Sequence, residues 1–597
     1  MRRSNYDKFP VTNITGEIWV GIEDIISQLQ REIVKKDFIL VVDCYVGVSL
    51  DKLYECLINL HPDLCINTEC LMKPENEVRD MTYPYVTDDE LFGYRTRLNI
   101  SDFFDHEKVS AFRKRISSEK GIKIILGCGA SWICPDADLL VYGDIARWEL
   151  QQRFRRHEIK ALGVDIRNES PARQYKRGYF CDWQVCDTLK KSIYEKVCYW
   201  LDMNIPLTPK MISKDTFMRG LAKTIEGPFR VVPFFDPAPW GGQWMKDVCD
   251  LDKNADNFGW CFDCVPEENS LMLRVNGVDF EMPSVNLVYL KTSELLGEPV
   301  EARFGQDFPI RFDFLDTIGG GNLSLQVHPT TQYIRDRFNI PYTQDESYYL
   351  LDAEEGASVF LGVKTNVNKE SMLADLRSAQ SGETIFDPQP YVNCFPAFKH
   401  DHFLIPGGTV HCSGAGAMVL EISSTPSIFT FKLWDWKRLG LDGKPRPINV
   451  EHGSHVINWK RDTEYALKYL VNCVEVVAEG DGWIEEKTGL HPNEFIETRR
   501  HWFERTVTHY TRNSVNVLNL VEGDEVIIES PDERFEPFVL HYAETVIVPA
   551  SVGTYTITPY GTASGKECDF GPVSGRCQMD ERTGEKIRSR ISTPFNL

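Results

Sequence analysis

The sequence predicts a multidomain chain that is α/β in its first third and mainly β afterwards. Three observations carry this. Over residues 1–200, short continuous apolar runs alternate with helical patterns, as in an open sheet covered by helices. From about residue 228, glycine and proline rise and short alternating runs take over, the pattern of β-sandwiches and small barrels. The 597 residues, 42% hydrophobic and 12% aromatic, supply several cores rather than one.

The elements follow in order. Phe38-Ile-Leu-Val-Val-Asp43 is short, continuous and β-branched, which suits a buried parallel strand, and Ile122-Lys-Ile-Ile-Leu126 and Leu139-Leu-Val-Tyr142 read the same way. Ala146 to Arg156 has helical spacing. Residues 201–227 are mixed and punctuated by proline, and are expected to be a linker. A first β unit is expected over 228–460, with strands such as Pro309-Ile-Arg-Phe-Asp-Phe-Leu315 and Ser358-Val-Phe-Leu-Gly-Val363. A small helical insert near 366–395 interrupts it, with Asn368 as cap. A second, smaller β unit is expected over 461–597, from runs such as Val515-Asn-Val-Leu518 and Thr545-Val-Ile-Val548.

Charge narrows the function. Lys and Arg total 66 against 88 Asp and Glu, a formal charge of −22. That argues against broad binding to nucleic acid or an anionic membrane, while leaving room for a local anion pocket. No apolar window is long enough to span a bilayer, and the N-terminal MRRSNYDKFP lacks the apolar stretch of a signal peptide. Seventeen scattered cysteines fit a reduced, cytoplasmic protein. Cys261 and Cys264 form a CxxC pair with no second pair at zinc-site spacing, so no metal or redox site is expected there. Nothing in the sequence sets an oligomeric state.

The chemistry concentrates in the middle. In Leu323-Ser-Leu-Gln-Val-His-Pro329, Ser324, Gln326 and His328 fall on one strand face, opposite Leu323, Leu325 and Val327. A polar row on so apolar a strand needs partners, either a hydrogen-bonded core or a ligand. Pro406-Gly-Gly-Thr-Val-His411 fits the PxGxxH pattern of a cupin barrel, in which proline and glycine turn the chain and histidine enters the interior. Glu346 lies between these segments. Gln326, His328, Glu346 and His411 would make a mixed nitrogen and oxygen set suited to zinc, with other divalent metals possible.

These segments together resemble class I (zinc-dependent) mannose-6-phosphate isomerase. The likeness rests on LSLQVHP at 323–329, DESYYLLDA at 345–353 and IPGGTVH at 405–411. Val419-Leu-Glu-Ile422, Phe431-Lys-Leu-Trp-Asp-Trp436 and Pro239-Trp-Gly-Gly242 extend it over roughly 228–597. The resemblance implies two cupin barrels, the second metal-free, and metal ligands at Gln326, His328, Glu346 and His411. It implies interconversion of mannose 6-phosphate and fructose 6-phosphate, a proton moving between C1 and C2 through a cis-enediol. Glu421 is the implied acid/base and Trp240 would line the sugar pocket. Two departures stand out. Lys432 replaces the family's usual arginine, keeping the charge but losing the planar fork. Asp313 replaces a usual lysine, and Arg311 two residues earlier, with Ser324, is the candidate for holding the phosphate. Catalytic roles are therefore expected for Glu421 and Lys432, and substrate contacts for Trp240, Arg311 and Ser324. The alternatives are a sugar-phosphate-binding regulator without turnover and an isomerase of another sugar phosphate.

The first 200 residues resemble a degenerate P-loop kinase. Val41-Val-Asp-Cys-Tyr-Val-Gly-Val-Ser49 sits where a phosphate loop would, but its Gly-Lys pair is missing. Arg153 to Arg156 lie on a helix like a kinase lid. A docking or nucleotide-sensing role is expected before a working kinase.

Overall fold

The computed structural model describes residues 4–573, apart from 425–427, 442, 490, 492–493 and 565–567. Its first unit is a seven-stranded sheet. In spatial order the strands are Ile18–Val20, Lys210–Ser213, Tyr199–Asp202, Leu139–Asp144, Phe38–Cys44, Ile122–Gly127 and Leu64–Asn67. The last five are parallel; near one edge Lys210–Ser213 runs antiparallel to both of its neighbours. Leu40, Val41 and Val42 are wholly buried because helices cover both faces.

Residues 201–227 are not the linker that their composition suggested. They hold the strand Lys210–Ser213 and the helix Lys214–Ile225, whose Ser213 cap accepts from Thr216 N. The four-residue strands are too short to show a period, so their prolines dominate the reading.

The second unit is a pair of antiparallel sheets. One runs His402–Ile405, Glu346–Ala353, Ala417–Ser423, Arg311–Asp316, Trp260–Cys264, Phe234–Asp236; the other runs Val392–Pro396, Ser358–Val363, His411–Ser413, Leu325–Val327, Phe431–Trp434. Alternation sorts their side chains into two cores. Tyr348, Leu350 and Val419 pack inward against Leu325, Val327 and Leu361 of the facing sheet. Phe312, Phe314, Tyr349, Leu420 and Ile422 point outward and join the large core shared with the first unit. The helix Lys369–Gln380 forms with Asn368 accepting from Ser371 N.

The third unit is a six-stranded and a four-stranded antiparallel sheet, with strands from Glu475–Gly480 to Cys568–Val573. The part of the second β unit beyond residue 573 lies outside the described residues.

The units are interlocked. Thr12–Ile14 pairs in parallel with Ser270–Val275. Buried Arg230 reaches Glu544 at 2.8 Å and the Asp7 carbonyl at 2.8 Å. Phe92, from a loop of the first unit, enters the core of the second and stacks on Phe429 with ring centres 5.8 Å apart.

Candidate metal centre

Three strands, Leu325–Val327, Glu346–Ala353 and His411–Ser413, deliver the central side chains. Gln326 lies opposite His411 on neighbouring strands, and opposite Lys432 on its other side. The turn before His411 needs its glycines: Gly408 has φ +92°, and a Cβ at Gly407 would meet the Pro329 carbonyl at 2.5 Å. Asp345 accepts from Gly407 N at 2.7 Å, tying this turn to the strand that carries Glu346.

His328, Glu346 and His411 converge, with one ligand atom from each lying within 4.8 Å of the others. His328 Nε2 is 3.0 Å from Glu346 Oε2, and His411 Nε2 is 2.7 Å from Glu346 Oε1. All three side chains are essentially inaccessible. The opposite ring nitrogens are committed: His328 Nδ1–H donates to the Phe429 carbonyl at 3.1 Å and His411 Nδ1–H to the Thr409 carbonyl at 2.9 Å. In the neutral rings this fixes a lone pair on each Nε2, aimed at carboxylate lone pairs. Lone pairs facing one another in a buried site call for positive charge between them, a shared proton or a metal ion. His328 Nε2 and Glu346 Oε1 have no hydrogen-bond partner of their own, so this donor set fits a divalent metal. The Gln326 amide is 3.2 Å from His411 Nε2 and accepts from Ser324 Oγ at 3.0 Å. Rotation about its last side-chain bond would turn the amide oxygen toward a cation.

A second row of acids lies beside this group. Glu421 is in register with Asp313 on one neighbouring strand and with Tyr348 on the other. Burial, with Glu346 and Asp313 adding negative charge, pushes the Glu421 carboxyl well above the usual carboxylate range. Burial also lifts Asp313 to about 7, against the pull of Arg311. Glu346 goes the other way: burial would raise it, but His328 and His411 hold it well below the usual range. Burial, with Arg446 nearby, lowers the Lys432 ammonium to about 7.

The remaining predicted residues are distributed around this centre. Ser324 is bonded to Gln326. Arg311 is buried and bound to Asp313 at 2.7 Å. Trp240 Nε1 donates to the Gly259 carbonyl at 3.3 Å, and its ring lies under Arg446. Cys261 and Cys264 are buried, and among the described residues His328, Glu346 and His411 are the one group able to hold a metal. Gln344 escaped the sequence reading. It donates to Glu346 at 2.9 Å and to Glu421 at 3.3 Å, linking the two acids. Its signal was its place two residues before Glu346, in the segment leading into that strand.

In the first unit, the loop after Phe38–Cys44 is filled by protein. A Cβ at Gly47 would meet Leu150 at 2.2 Å. Asp43 accepts from Gly129 N at 3.1 Å and Ser131 N at 2.9 Å. The arginine helix is equally committed. Arg153 is buried and donates to the carbonyls of Gly47, Met203 and Asn204; Arg155 grips Asp236 with both ends; Arg156 pairs with Glu149 and Glu158.

Comparison with known proteins divides the chain in the same way. Residues 21–226 match a domain of unknown function (DUF8485), about a third of the chain and close to the limits of the seven-stranded sheet unit. The "Probable mannose-6-phosphate isomerase GmuF" of Bacillus subtilis is 25% identical over 230 residues, 38% of this chain and 68% of its own length. Mannose-6-phosphate isomerase of Streptococcus mutans is 26% identical over 220 residues, 36% of this chain and 64% of its own. ManA of Bacillus subtilis is 26% identical over 225 residues, 38% of this chain and 66% of its own. The chain thus spans about two thirds of the length of these relatives. A solved mannose 6-phosphate isomerase from Bacillus subtilis aligns with 59% of this chain and 100% of its own, at 18% identity and a TM-score of 0.47. The resemblance carried by the motifs is borne out by the names of these relatives.

Proposed function

We propose that the chain is a metal-dependent aldose–ketose isomerase that interconverts mannose 6-phosphate and fructose 6-phosphate. The observation that carries this is the buried convergence of two imidazoles on Glu346, both Nε2 lone pairs directed inward, with a proton-avid carboxyl at Glu421 in the neighbouring row. The names of the curated relatives support it.

His328, Glu346, His411 and Gln326 would hold the ion, and zinc suits this nitrogen and oxygen set best. When bound, it supplies positive charge that polarises the substrate oxygens and stabilises an enediolate. The chain's own groups do the rest. Glu421 takes the proton from one carbon and returns it to the other; its raised proton affinity makes it a stronger base than an exposed carboxylate. Gln344 fixes Glu421 relative to Glu346. Lys432, beside Gln326 and with its pKa lowered to about 7, donates toward the substrate oxygens. Arg311 and Ser324 would take the phosphate end, and Trp240 would form the outer wall.

The two antiparallel sheet pairs are proposed as cupin barrels, divided near residue 460. The first unit is proposed as a P-loop-like domain without catalysis. Numbered along the chain, its parallel strands lie in the order 2-3-1-4-5, which differs from both common dinucleotide- and flavin-binding orders. Protein side chains fill its phosphate-loop position. The free cysteines and the sugar-phosphate substrate make the cytoplasm its proposed compartment.

The test is a coupled assay for fructose 6-phosphate on chelator-stripped protein, before and after Zn²⁺ is restored. Turnover that returns with zinc supports the isomerase. Zinc retained at one per chain without turnover overturns it and favours a second reading, a sugar-phosphate-binding regulator. One observation speaks for that reading: Arg311 is already neutralised by Asp313.

A further inference from the structure

The cleft between the seven-stranded sheet unit and the metal-bearing sheets holds a cavity of about 100 Å³, room for several waters or a phosphate group, and opens to solvent. Most of its charged groups are satisfied internally. Arg147 is held by Asp187 at 3.2 Å and by Tyr45. Glu268 accepts from Tyr175 at 2.6 Å and Gln151 at 2.7 Å.

Two cations of this cleft keep unused donors. Arg95, half-buried in a loop of the first unit, is held by Gln184 Oε1 at 2.8 Å and makes no ion pair among the described residues. Arg311, 1% exposed, spends Nη2 on Asp313, while its Nε has no hydrogen-bond partner. A buried guanidinium N–H left open in a cavity wall calls for an acceptor. Tyr179 and Tyr342 add aromatic faces, and Glu267 and Asp307 also line the cleft, Asp307 close enough to Arg95 that the guanidinium pulls its carboxyl down against burial.

Register connects this cleft to the metal centre. Arg311 is opposite Ser423, and Ser423 is opposite Glu346, so the three side chains share one face of the sheet. Two strand spacings separate Arg311 from Glu346, about 10 Å between their Cα atoms. A six-carbon sugar with its phosphate at the far end fits that span.

We propose that Arg95 of the first unit and Arg311 of the metal-bearing sheet grip the phosphate of a sugar phosphate whose reacting carbons lie at the metal centre. The first unit is then a wall of the substrate site. This assignment rests on the isomerase reading for the identity of the sugar, but phosphate binding tests it without turnover.

The experiment is calorimetric titration of the full, zinc-loaded chain with mannose 6-phosphate, mannose and inorganic phosphate, for wild type, Arg95→Gln and Gln184→Leu. Arg95→Gln is expected to weaken mannose 6-phosphate and inorganic phosphate at least tenfold while leaving mannose unchanged. Gln184→Leu, which frees Arg95 without removing it, should give a smaller loss of the same kind. In the coupled assay, Arg95→Gln should raise KM by a similar factor and spare kcat. Wild-type phosphate affinity in Arg95→Gln, with zinc content and unfolding temperature unchanged, overturns the assignment. If wild type turns nothing over but binds phosphate through Arg95, the cleft assignment stands and the isomerase reading falls. Normal turnover and KM in Arg95→Gln would do the reverse.

Discussion

The two antiparallel sheet pairs are built alike and filled differently. The interior of the second is mostly hydrocarbon: Leu518, Leu520, Val526, Ile528, Val546 and Val548 pack together, with His501 and His509 buried beside them, ring centres 4.5 Å apart. Its turn Pro549-Ala-Ser-Val-Gly-Thr-Tyr555 ends in a tyrosine that accepts from Asn516 Nδ2 at 2.9 Å. That pair is uncharged, and it needs no ion to hold it. The interior of the first holds His328, Glu346, His411, Asp313 and Glu421, all buried. Buried charges lower stability unless something compensates them. One framework therefore supports a mostly apolar core in one place and a cluster of buried acids and imidazoles in the other.

Removing a ligand breaks this contrast most sharply. His328→Ala is expected to abolish metal binding and lower isomerase turnover by about a thousandfold or more, the scale on which loss of a metal's charge stabilisation acts. Metal content by mass spectrometry and the coupled assay measure both. Chelation of wild type should lower the unfolding temperature of the first sheet pair, and a fragment-resolved hydrogen-exchange experiment should show the second unaffected.

Glu421→Gln separates chemistry from metal binding. Glu421 is not among the converging ligand atoms, so zinc should be retained. Turnover should fall about 10²–10⁴-fold, the usual contribution of a general acid–base. The variant should be at least as stable as wild type, since a neutral amide relieves the crowding of Glu421 against Glu346 and Asp313. Loss of zinc in Glu421→Gln would show that Glu421 serves the metal rather than the proton.

Phe92→Ala asks how far the first unit supports the site. Phe92 is 1% exposed and stacks on Phe429, whose carbonyl orients His328. The truncation should cost about 3–5 kcal/mol of stability by denaturant titration. It should also weaken zinc about tenfold, because groups that orient a ligating imidazole contribute on that scale. Full zinc affinity in the destabilised variant would limit Phe92 to packing.

What was legible in the sequence follows the range of the physics. Alternation along one strand placed Ser324, Gln326 and His328 on a face without any knowledge of neighbours. The glycines before His411 announced the turn. The row of Asp313, Glu421 and Tyr348 depends on register between three strands, which no local pattern encodes. Arg153 shows the opposite failure. An arginine on a helix reads as solvent-facing, yet its donors meet carbonyls from three separate residues, and only the assembled chain supplies them. The strands Tyr199–Asp202 and Lys210–Ser213 were hidden by brevity and nearby prolines.

The smallest effect concerns how the two sheet pairs meet. Glu522 of the second pairs with His400 at 3.4 Å and with Lys399 of the first. The hydrogen bond from His400 acts first, burial opposes it, and Lys399 adds to it, holding the Glu522 carboxyl down at about 2. A depressed carboxyl binds fewer protons folded than unfolded, so its contribution is complete above the unfolded value near 4.5 and fades as pH falls toward 2. Solvent reaches the pair, with Glu522 37% exposed, and screening holds the contribution to about 0.5–1 kcal/mol. Glu522→Gln should therefore lower stability by that amount at pH 6, and the gap to wild type should close as denaturant titrations are repeated between pH 5 and 3. A gap independent of pH would assign Glu522 to packing, and the contact between the sheet pairs to the apolar side chains around it.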